Sequence, residues 1–337
     1  MTVPVQARVL AADDPAALDA AIELLARGDL VAIPTETVYG LAGASTRADA
    51  ISRIYQAKGR PSHNPLISHV ADIAMAERYV RFDPRSRALA EAFWPGPLTL
   101  VLPLLPGPGI DRASTAGGTT AAVRAPRGFA HELIARLGLP LAVPSANRSG
   151  RISPTHAEHV LADLGDRLPL IVDGGPTEIG VESTVVRVRP DGIDILRAGV
   201  ITPDQIALAA GFDLHDVAAS LGDGGVLISP GMLSSHYAPR ARVRLNAHEV
   251  APGEALITFA AKRLPGQERA ALVLDLSPSG DLAEAARELF GLLHRADASG
   301  ADSIAVAPIP DHGIGTAIID RLTRAAAPRD QGGRGSA

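Results

Sequence analysis

Two cations and two neutral hydrogen-bonding groups lie within seven residues near the start of the chain: Lys58, Arg60, Ser62 and Asn64. Phosphate groups are bound well by charge-assisted donors, and arginine can hold them through two parallel hydrogen bonds. The GxxxxGK[ST] pattern of a P-loop is absent, so this is a different kind of loop. The stretch indicates either an anion-binding loop or a solvated surface loop, and its spacing alone favours neither.

A second polar group follows the apolar run Leu30–Ile33. Thr35, Glu36 and Thr37 come just after this run, where they can cap the next segment or hold an amino-acid substrate. Further along, Arg124 stands in the otherwise apolar stretch AAVRAP. A buried arginine needs an anionic partner, which is either a structural carboxylate or the carboxylate of a substrate.

Nucleophilic catalysis and a dedicated metal site find little support in the sequence. The chain has no cysteine and no GxSxG elbow, and its 10 histidines show no HExxH pairing. One carboxylate pair, Asp173 and Glu182, can hold Mg²⁺ through water. We expect no dedicated protein cage for a metal ion.

Alternating strands and helices must position these polar residues. The pattern predicts a helix over Pro15–Arg27 capped by Gly28, then the Leu30–Ile33 strand, then a turn that ends at Gly40 and a short helical segment. The polar loops mostly follow strand ends, where α/β sheets bind ligands. The alternation predicts an α/β fold with a mixed sheet.

Changes in composition divide the chain into four parts. Residues 1–212 carry the polar motifs, and residues 213–241 are rich in Gly, Ser and Pro, which indicates a linker. Residues 242–327 restart the alternation as a smaller α/β domain. We expect residues 328–337 to be a disordered tail.

The overall composition is that of an ordinary globular protein. The chain has 337 residues, of which 46% are hydrophobic, and a net charge of -5, which argues against bulk affinity for nucleic acids or membranes. Its start lacks a basic region followed by a long apolar core, so we expect no signal peptide and a cytoplasmic protein. Lys58 and Lys262 are the only lysines among 32 basic residues. A bias toward arginine codons explains that count, but it also hints that Lys58 is present for its compact ammonium group.

Seven motifs occur in one order along the chain: PTETVYGL, AKGRPSHNPL, WPGPLTLVL, TTAAVRAP, PSANRSG, GVESTVV and ILRAG. Together they resemble the YrdC-like domain of the L-threonylcarbamoyladenylate synthases. SPGMLSSHYAP and the C-terminal domain resemble the longer, two-domain branch of that family. The resemblance implies a YrdC-like twisted mixed sheet with helices, followed by a smaller Rossmann-like α/β domain.

The resemblance also implies an activity and its partners. The family are nucleotidyltransferases that condense L-threonine, bicarbonate or CO2, and ATP into threonylcarbamoyl-AMP and pyrophosphate, with Mg²⁺ carried on the ATP phosphates. Other proteins then transfer the threonylcarbamoyl group to tRNA, at the adenosine of position 37. We expect tRNA binding by this chain to be weak, no membrane partner, and some use of serine, because one methyl group separates the two amino acids poorly.

The family's site residues match positions of this chain in two groups. Contacts to threonine are implied for Thr37, His69, Arg124 and Ser183. Lys58 and Arg60 match the catalytic Lys-x-Arg signature at the nucleotide phosphates. Further contacts to ATP are implied for Asn64, Thr120, Ser145, Ser153, Arg197, His236 and Tyr237. The last two lie in the linker, which is expected to fold over the site and exclude water.

Two other functions stay open on the sequence alone. A module that binds tRNA or double-stranded RNA is disfavoured by the net acidity and by the lack of a basic stripe with interleaved aromatic residues. A carbamoyl transferase of the hydrogenase-maturation type contains a related domain. It is disfavoured because such proteins carry cysteine-rich zinc fingers and this chain has no cysteine.

Overall fold

The computed structural model describes residues 6–107, 109–219 and 236–328. These residues divide into two units: residues 6–149 with 153–219, and residues 150–152 with 236–328. No helix in these ranges is long and apolar enough to cross a membrane. Except for residue 328, the predicted disordered tail lies outside the described residues.

The first unit alternates strands and helices. Its helices are α1 (Pro15–Arg27), α2 (Ala48–Lys58), α3 (Ile73–Ala76), α4 (Pro84–Phe93), α5 (Gly128–Leu137), α6 (Ala157–Leu164) and α7 (Pro203–Ala210). Its strands are β1 (Arg8–Ala11), β2 (Val31–Ile33), β3 (Gly40–Ala44), β4 (Ile67–His69), β5 (Leu98–Pro103), β6 (Thr120–Arg124), β7 (Leu141–Ala142), β8 (Leu170–Asp173), β9 (Thr184–Arg189), β10 (Gly192–Arg197) and β11 (Val217–Ala219). These described strands form one sheet in the order β1-β8-β2-β3-β7-β4-β6-β5-β9-β10-β11.

The sheet mixes parallel and antiparallel neighbours, as the sequence predicts. β4 runs parallel to β6, and β5 runs parallel to β9, whereas β5 and β6 are antiparallel. The predicted mixed α/β fold is therefore confirmed. The pairing of β4 with β6 places His69 opposite Arg124, so two predicted site residues become neighbours across the sheet.

Local signals explain the first helix and one error. The side chain of Asp14 accepts a hydrogen bond from the Ala16 N–H at the start of α1, and Gly28 ends the helix with a left-handed φ of 88°. The predicted helix and its glycine cap are therefore confirmed. The short helical segment predicted between Gly40 and the Lys58 loop is confirmed as α2, but residues 40–44, to which the sequence assigned no element, form β3, antiparallel to β2.

The two faces of the sheet are covered differently. One face packs against α1, α4, α5 and α7 in the main apolar core. On the other face, α2 and α6 cover strands β2, β3 and β8. A small apolar cluster joins β4, β6, β5, β9 and β10, and none of its described members belongs to a helix: Ile67, Ala122, Val101, Val185 and Leu196. Because side chains alternate along strands, His69 and Arg124 share the face of this cluster.

The second unit is a smaller, all-parallel sheet with helices. Its elements are β12 (Arg242–Arg244), β13 (Ala255–Thr258), β14 (Leu272–Asp275), α8 (Leu282–Ala298), β15 (Ser303–Val306) and α9 (Ile314–Ala326). The strand order is β12-β15-β13-β14, and each pair is parallel. The prediction of a small second α/β domain is confirmed.

The predicted linker differs at its start. The sequence places residues 213–241 in the linker, whereas residues 214–216 form a 3₁₀ turn and Val217–Ala219 form β11. β11 pairs in parallel with β10 and so belongs to the sheet of the first unit. A three-residue edge strand has too little periodicity to be recognised in a Gly-rich sequence. Residues 220–235 lie outside the described residues.

Candidate active site

Lys58 is the last residue of α2 and is buried at the centre of a backbone cradle. Gly59 follows it in the left-handed conformation, with a φ of 60°, and turns the chain away from the helix. The Lys58 Nζ donates to the carbonyl oxygens of Ser145 and Asn147, each 2.5 Å away. Burial and the neighbouring charge of Arg60 lower the pKa of the Lys58 amine well below its usual range. Lys58 therefore fixes the loop after β7 to the end of α2.

Arg60 braces the loop that follows. Its Nε donates to the Asn64 carbonyl oxygen at 3.1 Å, and its Nη2 donates to Asn64 Oδ1 at 2.6 Å and to the Pro65 carbonyl oxygen at 2.9 Å. Lys58, Arg60 and Asn64 are all buried, while Ser62 is exposed. The interpretation as a solvated surface loop is therefore wrong for the three buried residues, and their predicted role at the nucleotide stays a prediction.

Arg124 is the centre of a second buried cluster. Its Nη1 donates to Thr37 Oγ1 at 2.9 Å, and its Nε donates to the Gly96 carbonyl oxygen at 3.1 Å. Its Nη2 lies 2.7 Å from Glu36 Oε1, and the two side chains are only 4% and 2% exposed. The structure thus identifies Glu36 as the structural carboxylate that the sequence left as one alternative for Arg124.

His69 lies beside this cluster as a neutral group. Burial and the positive charge of Arg124 lower the pKa of its imidazole well below the usual range, and Arg197 acts in the same direction. Its Nδ1 is buried and has no hydrogen-bond partner in the part of the chain that the structure describes. Because buried polar atoms are nearly always paired, this nitrogen is free to hydrogen-bond a ligand.

Ser183 and Arg197 come together between β9 and β10. Arg197 donates from Nε to the Ser183 carbonyl oxygen and from Nη2 to Ser183 Oγ, both at 3.0 Å. Ser183 Oγ also lies 2.7 Å from Thr99 Oγ1. Gly199 lets the chain after β10 lie close to the start of β9, because a Cβ at Gly199 would lie 2.4 Å from the Thr184 nitrogen. The GVESTVV and ILRAG motifs therefore form one hydrogen-bonded unit.

Ser153 and Thr120 complete the predicted positions of the first unit. Ser153 Oγ donates to Glu182 Oε1 at 2.6 Å, and both residues are buried. Asp173 instead accepts from the Tyr39 hydroxyl and the Gly175 N–H, so Asp173 and Glu182 serve different partners. Thr120 begins β6 on the same strand face as Arg124 and is half-buried.

His236 and Tyr237 belong to the second unit. The His236 backbone N–H donates to the Arg324 carbonyl oxygen at 3.2 Å. The His236 and Tyr237 rings pack edge to face, with their centroids 4.1 Å apart. Tyr237 is buried against Phe290, with a ring separation of 5.3 Å, and it adopts a left-handed φ of 62°. Left-handed backbone is unusual for a tyrosine and marks a position held by its surroundings. The predicted contact of both residues with a nucleotide stays a prediction.

Three contributors were not foreseen from the sequence. Thr99 Oγ1 shares a hydrogen bond with Ser183 Oγ, and the Asn147 carbonyl oxygen accepts a hydrogen bond from Lys58. Gly199 lets its own backbone lie close to Thr184, the residue after Ser183. A lone hydroxyl in the apolar strand LTLVLP is a signal that could have identified Thr99. The other two depend on backbone approach between distant segments, for which the sequence carries no sign.

Two family models match the chain. A model described as "Telomere recombination" matches residues 23–199, and one described as "Threonylcarbamoyl-AMP synthase, C-terminal domain" matches residues 201–327. Relatives of similar length include the threonylcarbamoyl-AMP synthase of Bacillus subtilis, 42% identical over 95% of both chains. That of Pyrococcus abyssi is 37% identical over 90% of this chain and 92% of its own.

Solved structures show the same architecture. The crystal structure of P. abyssi Sua5 complexed with L-threonine is 34% identical, covers 92% of this chain and 94% of its own, and has a TM-score of 0.81. A P. abyssi Sua5 variant with a histidine and a tyrosine replaced by alanine has a TM-score of 0.82 at 32% identity, covering 95% of this chain and 96% of its own. The similarity extends over both units.

Proposed function

Because the chain belongs to the family of threonylcarbamoyl-AMP synthases, we propose that it condenses L-threonine, bicarbonate or CO2, and ATP into threonylcarbamoyl-AMP and pyrophosphate. The observation that supports this most directly is the buried cluster in which Arg124 contacts Thr37 and lies beside His69, its neighbour on the adjacent strand. It offers a fixed cation, a hydroxyl and a neutral imidazole with an unpaired nitrogen. Those are the groups that an amino acid with a hydroxyl side chain requires.

Threonine binds at this cluster in the proposal. Arg124 receives the carboxylate, and Thr37, His69 and Ser183 supply the neutral hydrogen bonds. A site built around the substrate hydroxyl rejects valine strongly, because valine leaves buried polar groups unpaired. Serine differs only by a methyl group, so the site accepts some serine.

ATP binds at the end of α2 and the loops fixed to it. Lys58 and Arg60 are the buried cations there, and Asn64, Thr120, Ser145, Ser153 and Arg197 complete the nucleotide contacts. Lys58 uses two hydrogens of its ammonium on backbone carbonyls, which leaves one for a phosphate oxygen. Mg²⁺ arrives with the nucleotide, since it commonly keeps its waters and binds phosphates with few protein ligands.

The chemistry requires two attacks and no enzyme nucleophile. The deprotonated threonine amine adds to CO2 with release of a proton, or to bicarbonate with release of water, to give a carbamate. A carbamate oxygen then attacks the α-phosphorus of ATP, and pyrophosphate leaves. Anion meets anion in the second step, so neutralisation and alignment by fixed cations supply most of the catalysis.

A role for His236 and Tyr237 at the nucleotide rests on the family resemblance of the HYAP segment alone. The carbamate and the mixed anhydride are labile in water, so a closing segment increases the yield. The product is then consumed by a separate transferase that modifies tRNA.

The central test measures pyrophosphate release from ATP in the presence of L-threonine and bicarbonate. Release that depends on both co-substrates is expected, and release that ignores either one would overturn the proposal. Arg124→Ala should mainly raise the KM for threonine, and Arg60→Ala should mainly impair the use of ATP. Arg47→Ala, which removes an exposed arginine paired with Asp49, is the matched control. The reverse pattern would overturn the assignment of the two half-sites.

A further inference from the structure

Glu36 offsets the positive charge of Arg124 in the threonine half-site. Its carboxylate pairs with Arg124 at 2.7 Å, and both side chains are almost completely buried. A bare buried arginine would favour any carboxylate, whereas a paired arginine has little net charge left to attract one. The pair therefore presents one positive and one negative group side by side.

Both members of the pair keep unused hydrogen-bonding capacity. Glu36 Oε1 and Arg124 Nη2 lie close enough for an ion pair, but neither atom has a hydrogen bond of good geometry among the described residues. Within the described ranges, the other carboxylate oxygen of Glu36 accepts one long hydrogen bond, 3.3 Å, from the Arg127 N–H. A carboxylate has about four acceptor positions, so Glu36 can still accept N–H groups.

A free amino acid matches such a pair. At neutral pH it carries a carboxylate and an ammonium group on one carbon atom, so it is itself a neutral pair of opposite charges. The alternative acceptor for the ammonium group is His69, whose imidazole is neutral. A charged carboxylate makes the stronger hydrogen bond to a cation, which favours Glu36.

We propose that Glu36 binds the α-ammonium group of threonine while Arg124 binds its carboxylate. The inference rests on the proposed function, because that function supplies the substrate. Recognition of both ends makes the site selective for zwitterions. Carboxylic acids that lack the amine leave the Glu36 carboxylate buried without its cation and bind weakly.

The test compares two ligands by calorimetric titration of the full-length protein. L-threonine is compared with 3-hydroxybutyrate, which keeps the carboxylate and the hydroxyl group but lacks the amine. The wild type should bind threonine at least about tenfold more tightly. Glu36→Gln should reduce this ratio by about tenfold or more, because it weakens threonine binding and leaves Arg124 free to attract 3-hydroxybutyrate. Glu36→Asp, which keeps the charge, should restore most of the preference.

A merely structural role for Glu36 predicts a different result. Both ligands would then lose affinity together, and an unchanged ratio would overturn the proposal. A shift of the ratio in His69→Gln but not in Glu36→Gln would assign the ammonium group to His69 instead. Asp194→Asn is the matched control, because it removes another buried carboxylate from an arginine of the same sheet, at 2.6 Å from Arg187, and should leave the ratio unchanged.

The proposal can be tested even if a Glu36 variant does not fold, and the ligand comparison does not require enzymatic activity. Wild-type protein that binds 3-hydroxybutyrate as tightly as threonine would overturn the proposal without any variant. Pyrophosphate release by the same preparation reports separately on the proposed function. If release occurs and the ligand preference is absent, only the role of Glu36 fails.

Discussion

Replacing Lys58 with methionine removes the ammonium group that joins the end of α2 to the loop after β7. The side chain keeps its length, but the carbonyl oxygens of Ser145 and Asn147 lose a donor at 2.5 Å. Ser145 keeps a second donor, the Asn147 N–H at 3.0 Å, so its carbonyl oxygen is not left unpaired. Each of the two lost hydrogen bonds contributes about 1–2 kcal/mol, between the values for neutral and for charged donors. We therefore expect the first unit to lose about 2–4 kcal/mol of stability.

Denaturant unfolding followed by tryptophan fluorescence measures this loss. Trp94 is the only tryptophan of the chain and lies in the first unit, so its emission reports on that unit. Lys262→Met is the matched control, because Lys262 is the only other lysine and is exposed. A Lys58→Met midpoint as close to wild type as that of the control would refute a net contribution from the two carbonyl bonds.

The pH dependence gives a second readout with a defined sign. Burial lowers the pKa of Lys58 in the folded state below its value in the unfolded chain. Between these two values the unfolded state binds more protons, so the stability of the wild type rises with pH. The stability gap between wild type and Lys58→Met should widen as the pH is raised toward the ordinary lysine pKa of about 10.4. A constant gap would mean that Lys58 keeps an ordinary pKa.

Three further predictions follow from the same site. Gly199→Ala places a Cβ 2.4 Å from the Thr184 nitrogen, so we expect a loss of about 1–3 kcal/mol and a higher KM for threonine, measured by unfolding and by pyrophosphate release. An unchanged KM would show that Ser183 is not displaced. Because the pKa of buried His69 is lowered, its contribution to stability is present above the ordinary pKa of about 6.5 and is lost as the pH falls below it. His69→Gln should therefore flatten the acid side of the stability curve by up to about 1.4 kcal/mol per pH unit, and equal slopes would refute this. Serine in place of threonine should lower kcat/KM by about 10–200-fold, and complete rejection would contradict a site that distinguishes the two by one methyl group.

The sequence was sufficient where local chemistry decides the structure. Helix α1 has its apolar spacing and its terminal glycine within one short segment, and the structure confirms both. β3 was missed because GLAGA contains no β-branched or aromatic residue. Its strand conformation comes from pairing with β2 and β7, which are distant contacts that no local pattern reveals.

The site shows the same division. The residue types of Lys58, Arg60 and Arg124 indicated anion binding, but their protein partners could not be read from the sequence. Lys58 contacts carbonyls 87 and 89 residues away, and Arg124 finds Thr37 at a separation of 87 residues. Such contacts depend on the order of strands in the sheet. Every residue also has a backbone carbonyl, so the residue types do not show which carbonyl accepts a hydrogen bond from Lys58.

The register of β4 against β6 also limits where the chain can accept insertions and deletions. His69 and Arg124 face each other because their strands pair residue by residue from Ile67↔Ala122 onward. An insertion or deletion of one residue inside either strand would turn one side chain of the pair to the opposite face of the sheet. Length changes at the exposed residues Pro106 and Gly107, in the connection between β5 and β6, leave that pairing intact, since exposed loop positions absorb insertions at low cost. Insertions and deletions among descendants of this sequence should therefore collect in that connection and be purged from the two short strands.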